Sequence, residues 1–294
     1  MARNFTPVAD DMYRFTVGSG PEAEFFKSIA RQGHAGLRAG QTQQGVYVFA
    51  PSGEFLASDI SVSPDRIMTL LRRGLDRWKE LPRGRRLMKP APAADPPGRE
   101  RAEKHHPKDG LVLRVFTRDR GDANRRSYGD RTDPWNTDMA WFTADEMREF
   151  VPARGRREIP AHLVRRLARV HLLDFVRGLP LSPFQDGSVE RASMQADVVE
   201  VKAGVVSMRL TGESRAVEAG RGIETRMLGR ATWDPEKSRF TSFELVATGT
   251  RWGPARGAGD NDGPGGIGYV LKLAGDAPHD RVAPWFFGAY GWRR

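Results

Sequence analysis

The stretch RFTSFELVATGTRW, residues 239–252, carries bulky side chains at Phe240, Phe243, Leu245, Ala247 and Trp252, with polar residues between them. Near-alternation of apolar and polar residues, rich in aromatic and β-branched types, is the pattern of a half-buried strand. Asp234-Pro235-Glu236-Lys237 precedes it as a tight turn, and Ile223 to Trp233 lies before that with the same period. Met194 to Val201, Val205 to Leu210 and Gly268 to Leu273 read alike. An antiparallel sheet, strongly curved or a half-barrel, is expected over about residues 189–275. Gly257 to Gly268 reads as a loop interrupting it.

Upstream of this sheet the period changes. Pro160 opens a helix expected over Ala161 to Val176 and closed by Gly178. Its apolar face is Val164, Leu167, Ala168, His171, Leu172 and Phe175, and Arg165, Arg166 and Arg169 form its outer face. Thr143-Ala144-Asp145-Glu146 is a capping box for a short helix reaching about Phe150. Gly110 to Thr117 reads as a strand and the charged run Arg118 to Thr132 as a loop.

The first 80 residues have their own organisation. Pro21 to Ala30 reads as a helix and Gly33 to Gly45 as a loop. Gly45 to Ala50 is a strand, Pro51-Ser52-Gly53-Glu54 a hairpin turn, and Phe55-Leu56-Ala57 the start of the return strand. Ser63-Pro64 opens a helix with Ile67, Leu70, Leu71, Leu75 and Trp78 at helical spacing. The order of these pieces, GVYVFAPSGEFLAS followed by SPDRIMTLLRRGLDRW, resembles the C-terminal half of a thioredoxin-like domain, with NFTPVADD resembling the strand before it. The chain has no cysteine, and Thr42-Gln43-Gln44-Gly45 holds no proline where that family places its cis-proline. Dithiol exchange, which needs a thiolate, is thereby excluded. The resemblance also leaves a partial sheet with an open edge. Segments upstream of Met1, a second copy of the chain, or a rearranged layer would complete it.

The fold class expected is therefore α+β: an incomplete thioredoxin-like layer over residues 1–80, a basic Pro-rich linker over 81–109, and an α+β domain over 110–294 with an aromatic C-terminal segment. The 294 residues carry a formal net charge of +10 with a pI near 10.2. Pro82 to Asp130 holds 13 Lys+Arg against 7 Asp+Glu, a surplus of 6. Interleaved acidic residues favour a solvated linker over a phosphate-binding arm. The arm reading rests on Arg83, Arg85, Arg86, Lys89, Arg125 and Arg126. No stretch reaches the roughly 18 apolar residues of a membrane span. The N-terminus as written has no signal-peptide core, so a cytoplasmic protein is expected, or a periplasmic or secreted one if the start lies upstream.

Motifs for chemistry are sparse. There is no Gly-x-Ser-x-Gly elbow and no HExxH pair. Asp260-Asn261-Asp262-Gly263 lacks the closing glutamate of a calcium loop, and Gly263 to Gly268 lacks the lysine–serine pair of a phosphate cradle. Neither a metal nor a cofactor is expected. The most concentrated feature is aromatic. Two readings apply: a groove walled by Trp135, Trp141, Trp252, Trp285 and Tyr290 with Asn136 and Asp138 orienting a ligand, or a cap over the open sheet that ties down the C-terminus. The function expected is a non-redox binding protein for another protein or an apolar or peptide-like ligand. A hydrolase using Asp138 with His171 or His279, and nucleic-acid binding through the linker arginines, are the alternatives.

Overall fold

The computed structural model describes residues 4–6, 8, 19–33, 44–61, 63–87, 102–120, 135–177, 182–255 and 263–292. The chain forms two compact units, residues 1–99 and 100–294. Helices and antiparallel sheets together make it an α+β protein, the class expected. Among the described residues no helix is long and apolar enough to cross a membrane.

Unit 1 contains α1 (Pro21–Ala30), the hairpin β1 (Val46–Phe49) and β2 (Phe55–Asp59), α2 (Pro64–Glu80) and the short α3 (Arg83–Arg86). Gly53 has φ 88°, the left-handed value that the turn requires. Val48, Leu56, Ala57 and Leu70 form its core, and Phe5 packs against it. Of the run Phe5 to Ala9, the described residues Phe5, Thr6 and Val8 are not in a strand, and Phe5 packs against this core. Only Leu70 and Gly74 of α2 are fully buried. Gly74 lets the helix approach β1: a Cβ there would lie 2.6 Å from Val48 Cγ1. Ser63 precedes α2 without a side-chain cap bond, so Pro64 alone marks the helix start.

Unit 2 is built on an eight-stranded antiparallel sheet: β3 (Leu111–Asp119), β4 (Trp135–Phe142), β5 (Arg156–Glu158), β6 (Val189–Lys202), β7 (Val205–Glu218), β8 (Arg221–Asp234), β9 (Arg239–Trp252) and β10 (Gly265–Leu273). The spatial order is β4-β3-β10-β9-β8-β7-β6-β5. β6 to β10 form a meander whose last strand pairs with β3. Ala203-Gly204 and Ala219-Gly220 all have positive φ, as two-residue hairpin turns require. The capping box at Thr143 and Glu146 starts α4 (Ala144–Arg148), as expected. Helix α5 (Ala161–Arg166) runs into a π-helical turn, Leu167–His171. That turn touches β4 at one end of the sheet and β6 and β7 near the other, so the open sheet curves around it. Its Leu167 and Ala168, with Leu172 just after it, share one core with Leu113, Val115, Leu210, Leu245 and Leu271 of the strands.

Four local differences from the expectation have physical causes. The helix expected to Val176 ends at His171, because the Asp174 carboxylate accepts from the Val176 and Arg177 N–H groups and turns the chain. Arg166, expected outside, is buried by its pairing with Glu146. β7 continues eight residues past Leu210 to Glu218, where Arg215 bridges Glu190 and Glu224 on the neighbouring strands. β10 begins at Gly265, three residues before the expected Gly268, so Gly265 and Gly266 lie in the strand rather than in a loop, and a Cβ at Gly265 would meet the Arg251 guanidinium at 2.9 Å. The expected loops at 34–43, 121–132 and 257–262, and Gly178, lie outside the described residues.

Candidate functional site

Trp135 to Phe142, read from the sequence as an aromatic cluster, is the edge strand β4. Both of its faces are buried along its second half. Ala140 and Phe142 join the main core, while Met139 and Trp141 pack with Val170, Phe287 and Tyr290. The C-terminal segment thus packs on the second face of β4 and meets its free edge through Tyr290.

A buried polar chain fastens this cover. Asp138 Oδ2 lies 2.8 Å from His171 Nδ1, and His171 Nε2 lies 2.6 Å from Tyr290 Oη. The Trp141 N–H donates to Tyr290 Oη at 3.0 Å, and the Trp285 N–H donates to Asp138 Oδ1 at 2.8 Å. With a neutral imidazole, one arrangement gives every donor an acceptor. The Tyr290 hydroxyl donates to His171 Nε2, and the His171 Nδ1–H donates to the Asp138 carboxylate. Asp138, His171 and Tyr290 are all buried. Burial drives the Tyr290 phenol well above its ordinary range, against the opposing effects of the Trp141 N–H and Arg166, so it stays protonated.

Arg166 extends the network. Its guanidinium is held by both Glu146 oxygens, at 2.7 and 2.8 Å, and donates to the Trp141 carbonyl at 3.2 Å. It also lies over the Phe142, Tyr290 and Trp292 rings, 4.9, 4.8 and 5.5 Å from their centroids. Burial alone would raise the Glu146 carboxyl. The hydrogen bonds and charge of Arg166, with the Thr143 N–H, outweigh it and hold the group below its usual range.

A second buried cluster lies near the loop connecting β9 and β10. Arg251 pairs with Asp119 at 2.8 Å and approaches Asp174 at 3.4 Å. Arg177 pairs with Asp174 at 2.5 Å and donates to the Gly253 carbonyl. Among the described residues, Arg251 and Arg177 face Asp119 and Asp174 there.

The residues expected to wall a groove are distributed among three settings. Asp138, Trp141 and Tyr290 belong to the sealed network. Trp135 and Trp285 are 54% and 61% exposed. Asn136 donates to the Phe175 carbonyl at 3.1 Å, and the Phe175 and Trp285 rings sit 6.5 Å apart, edge to face. Trp252 lies on Gly222 with Arg215 over its ring at 5.2 Å, on strands separated from β4 by β3 and β10. Of the two histidines considered for a hydrolase, His171 meets Asp138. His279 is exposed and lies 3.6 Å from Asp280, not Asp138.

The arginines of the linker reading are partly engaged within unit 1. Arg85 pairs with Glu54 at 2.5 Å, and Arg86 donates to the Leu81 and Lys79 carbonyls with its guanidinium 4.6 Å from the Trp78 ring. Arg83 is exposed, and Lys89, Arg125 and Arg126 lie outside the described residues. Sequence reasoning missed Arg166 and Glu146. The spacing of Glu146 in its capping box explained it locally and concealed its second role.

Comparison of the chain with family models, with curated proteins and with solved structures finds no match.

Proposed function

We propose that this chain is a non-catalytic, non-redox binding protein whose β domain presents exposed indoles to an apolar or peptide-like partner. The observation that carries the reading is the closure of the Asp138–His171–Tyr290 chain. Its acid, its base and its hydroxyl are each buried, and each hydrogen bond they make is to another group of the same chain. General acid–base catalysis needs a group within reach of a substrate proton. This chain of groups reaches only the C-terminal segment, and its work is to hold that segment on β4. Trp135 and Trp285, by contrast, keep more than half of their surface in water, an unfavourable placement for indoles unless they meet a partner.

The hairpin followed by a helix in unit 1 supports a thioredoxin-like scaffold for docking, and the absence of cysteine removes its redox use. A random-peptide display library tests the reading. Enriched peptides are expected to quench indole fluorescence, and Trp135→Ala or Trp285→Ala to weaken them without lowering Tm. Hydrolysis of a chromogenic ester panel that disappears with His171→Ala in a folded variant would overturn it.

A further inference from the structure

The solvent face of the unit 2 sheet carries a row of apolar side chains in register across four strands. Phe116 of β3 pairs with Val270 of β10, Val270 with Val246 of β9, and Val246 with Leu228 of β8. Alternation puts these four on the side opposite the core, since their neighbours Val115, Leu271, Leu245 and Met227 are all buried. Leu228 is 62% exposed and Val246 39%. A lone exposed leucine carries no meaning, but a registered row across adjacent strands is a contiguous patch.

Cations flank that row on both sides. Two residues along each strand in one direction lies the row Arg114, Lys272, Glu244, Arg230 and Arg209, paired in that order across β3, β10, β9, β8 and β7. In the other direction lies Arg118, Gly268, Thr248, Arg226 and Glu213, with Trp135 of β4 opposite Arg118. Glu244 is shared between Lys272 and Arg230, at 3.2 and 3.3 Å, and Glu213 is held by Arg191. Arg114 is held by Asp280. Arg209 and Arg226 are exposed and have no carboxylate partner among the described residues. Five of the six cations are arginines, whose planar forks grip phosphate in pairs and stack on flat rings.

We propose that this face binds single-stranded nucleic acid, with bases laid on the apolar row and on Trp135 and with phosphates on the arginine rows. Aromatic platforms between cations are how sequence-tolerant single-strand binders work, and here Trp135 and the half-buried Phe116 supply the rings while the aliphatic side chains between them give apolar contact. Of the net charge of +10, 6 lies in residues 82–130, so on the sheet it is Arg209 and Arg226 that are available to phosphates. A lipid surface fits less well, because the apolar strip is one side chain wide. The inference rests on the reading of the chain as a binding protein, and it places the polyanion on the sheet rather than on the linker.

Fluorescence anisotropy with a labelled 12-nucleotide oligo(dT) and oligo(U) tests it on the full chain. Binding is expected to weaken steeply with salt. Arg209→Ala with Arg226→Ala should weaken it at least tenfold. Trp135→Ala, which leaves the charge unchanged, should weaken it about fivefold or more. Arg83→Ala with Lys89→Ala, in the linker, should change it less than twofold. Unchanged Tm would establish that each variant is folded. Equal affinity in the face variants, or loss on changing the linker alone, would overturn the proposal. So would sedimentation with phosphatidylserine vesicles in the absence of oligonucleotide binding. Failure here with display peptides still bound would leave the general binding reading standing, whereas the absence of any peptide or oligonucleotide binding would remove both.

Discussion

Tyr290 Oη lies 2.6 Å from His171 Nε2, so a hydroxyl near the end of the chain is tied to the helix around which the sheet curves. The same oxygen accepts the Trp141 N–H of the sheet edge. One side chain thereby joins three segments that are remote in sequence.

Removing that hydroxyl leaves a buried backbone donor and a buried imidazole nitrogen without partners. Tyr290→Phe is expected to cost about 1–3 kcal/mol, the range for unsatisfied buried groups. Thermal unfolding measures the loss. Amide exchange should show the Trp141 N–H losing protection more than the β7–β8 ladder does.

The Arg166–Glu146 pair is expected to be worth more when broken than its charge alone suggests. Arg166→Met strands the half-buried Glu146 carboxylate and removes the cation from the Phe142, Tyr290 and Trp292 rings, and since a fully buried pair costs about 3–5 kcal/mol to cut, a loss of about 2–3 kcal/mol is expected here. Denaturant unfolding of Arg166→Met, Glu146→Gln and the double variant is expected to show strong coupling. An additive cycle would contradict the pairing.

Glu146 also sets an acid limb. Its folded carboxyl titrates below the unfolded value of 4.5, because Arg166 and the Thr143 N–H outweigh the effect of burial. Its contribution is fully present above the unfolded value and is lost as pH falls through the folded one. Stability should therefore decline as pH drops below about 5. Glu146→Gln should flatten that decline in a urea-midpoint series.

The phenols set an alkaline limb of the opposite sign. Burial raises Tyr290 and Tyr269 above the unfolded value of 10.0. The stability gained by keeping them neutral is complete below that value and is lost as pH rises beyond it. Absorbance at the phenolate band should show both ionising only with unfolding, and Tyr290→Phe should reduce the alkaline slope of the unfolding midpoint.

In unit 1, Gly74→Ala tests the helix–hairpin approach. Alanine favours a helix by about 1 kcal/mol, but its Cβ would press on the stiff, buried Val48, and overpacking costs about 1–3 kcal/mol. A net loss of stability is expected, with faster amide exchange in β1. Val48→Ala in the same chain should restore part of it.

Much of the architecture was legible because it follows from period. The near-alternation at Phe240 to Trp252, the capping box at Thr143 and Glu146, and the Pro-Ser-Gly turn at 51–53 are local patterns with local causes. β4 was not legible, since Met139, Ala140, Trp141 and Phe142 are all buried and show no alternation. The C-terminal segment covers its second face, and no window of sequence contains that fact. Of the candidate site, Asp138 and His171 were named as partners, and the structure joins them. Tyr290 was expected to wall a groove, and the structure makes it their third member.

The amino-acid sequence by itself determined the class of fold, the positions of most strands, and the exclusion of thiol chemistry, because strand period and the absence of cysteine are properties of the chain. Only the tertiary structure decided which polar groups are closed and which are offered to solvent. Asp138, His171 and Tyr290 are 33 and 119 residues apart along the chain, counted from His171. Their saturation depends on the C-terminal segment lying on β4. The registered row from Phe116 to Leu228 likewise depends on β10 inserting between β3 and β9, which places residues far apart in sequence side by side on one face.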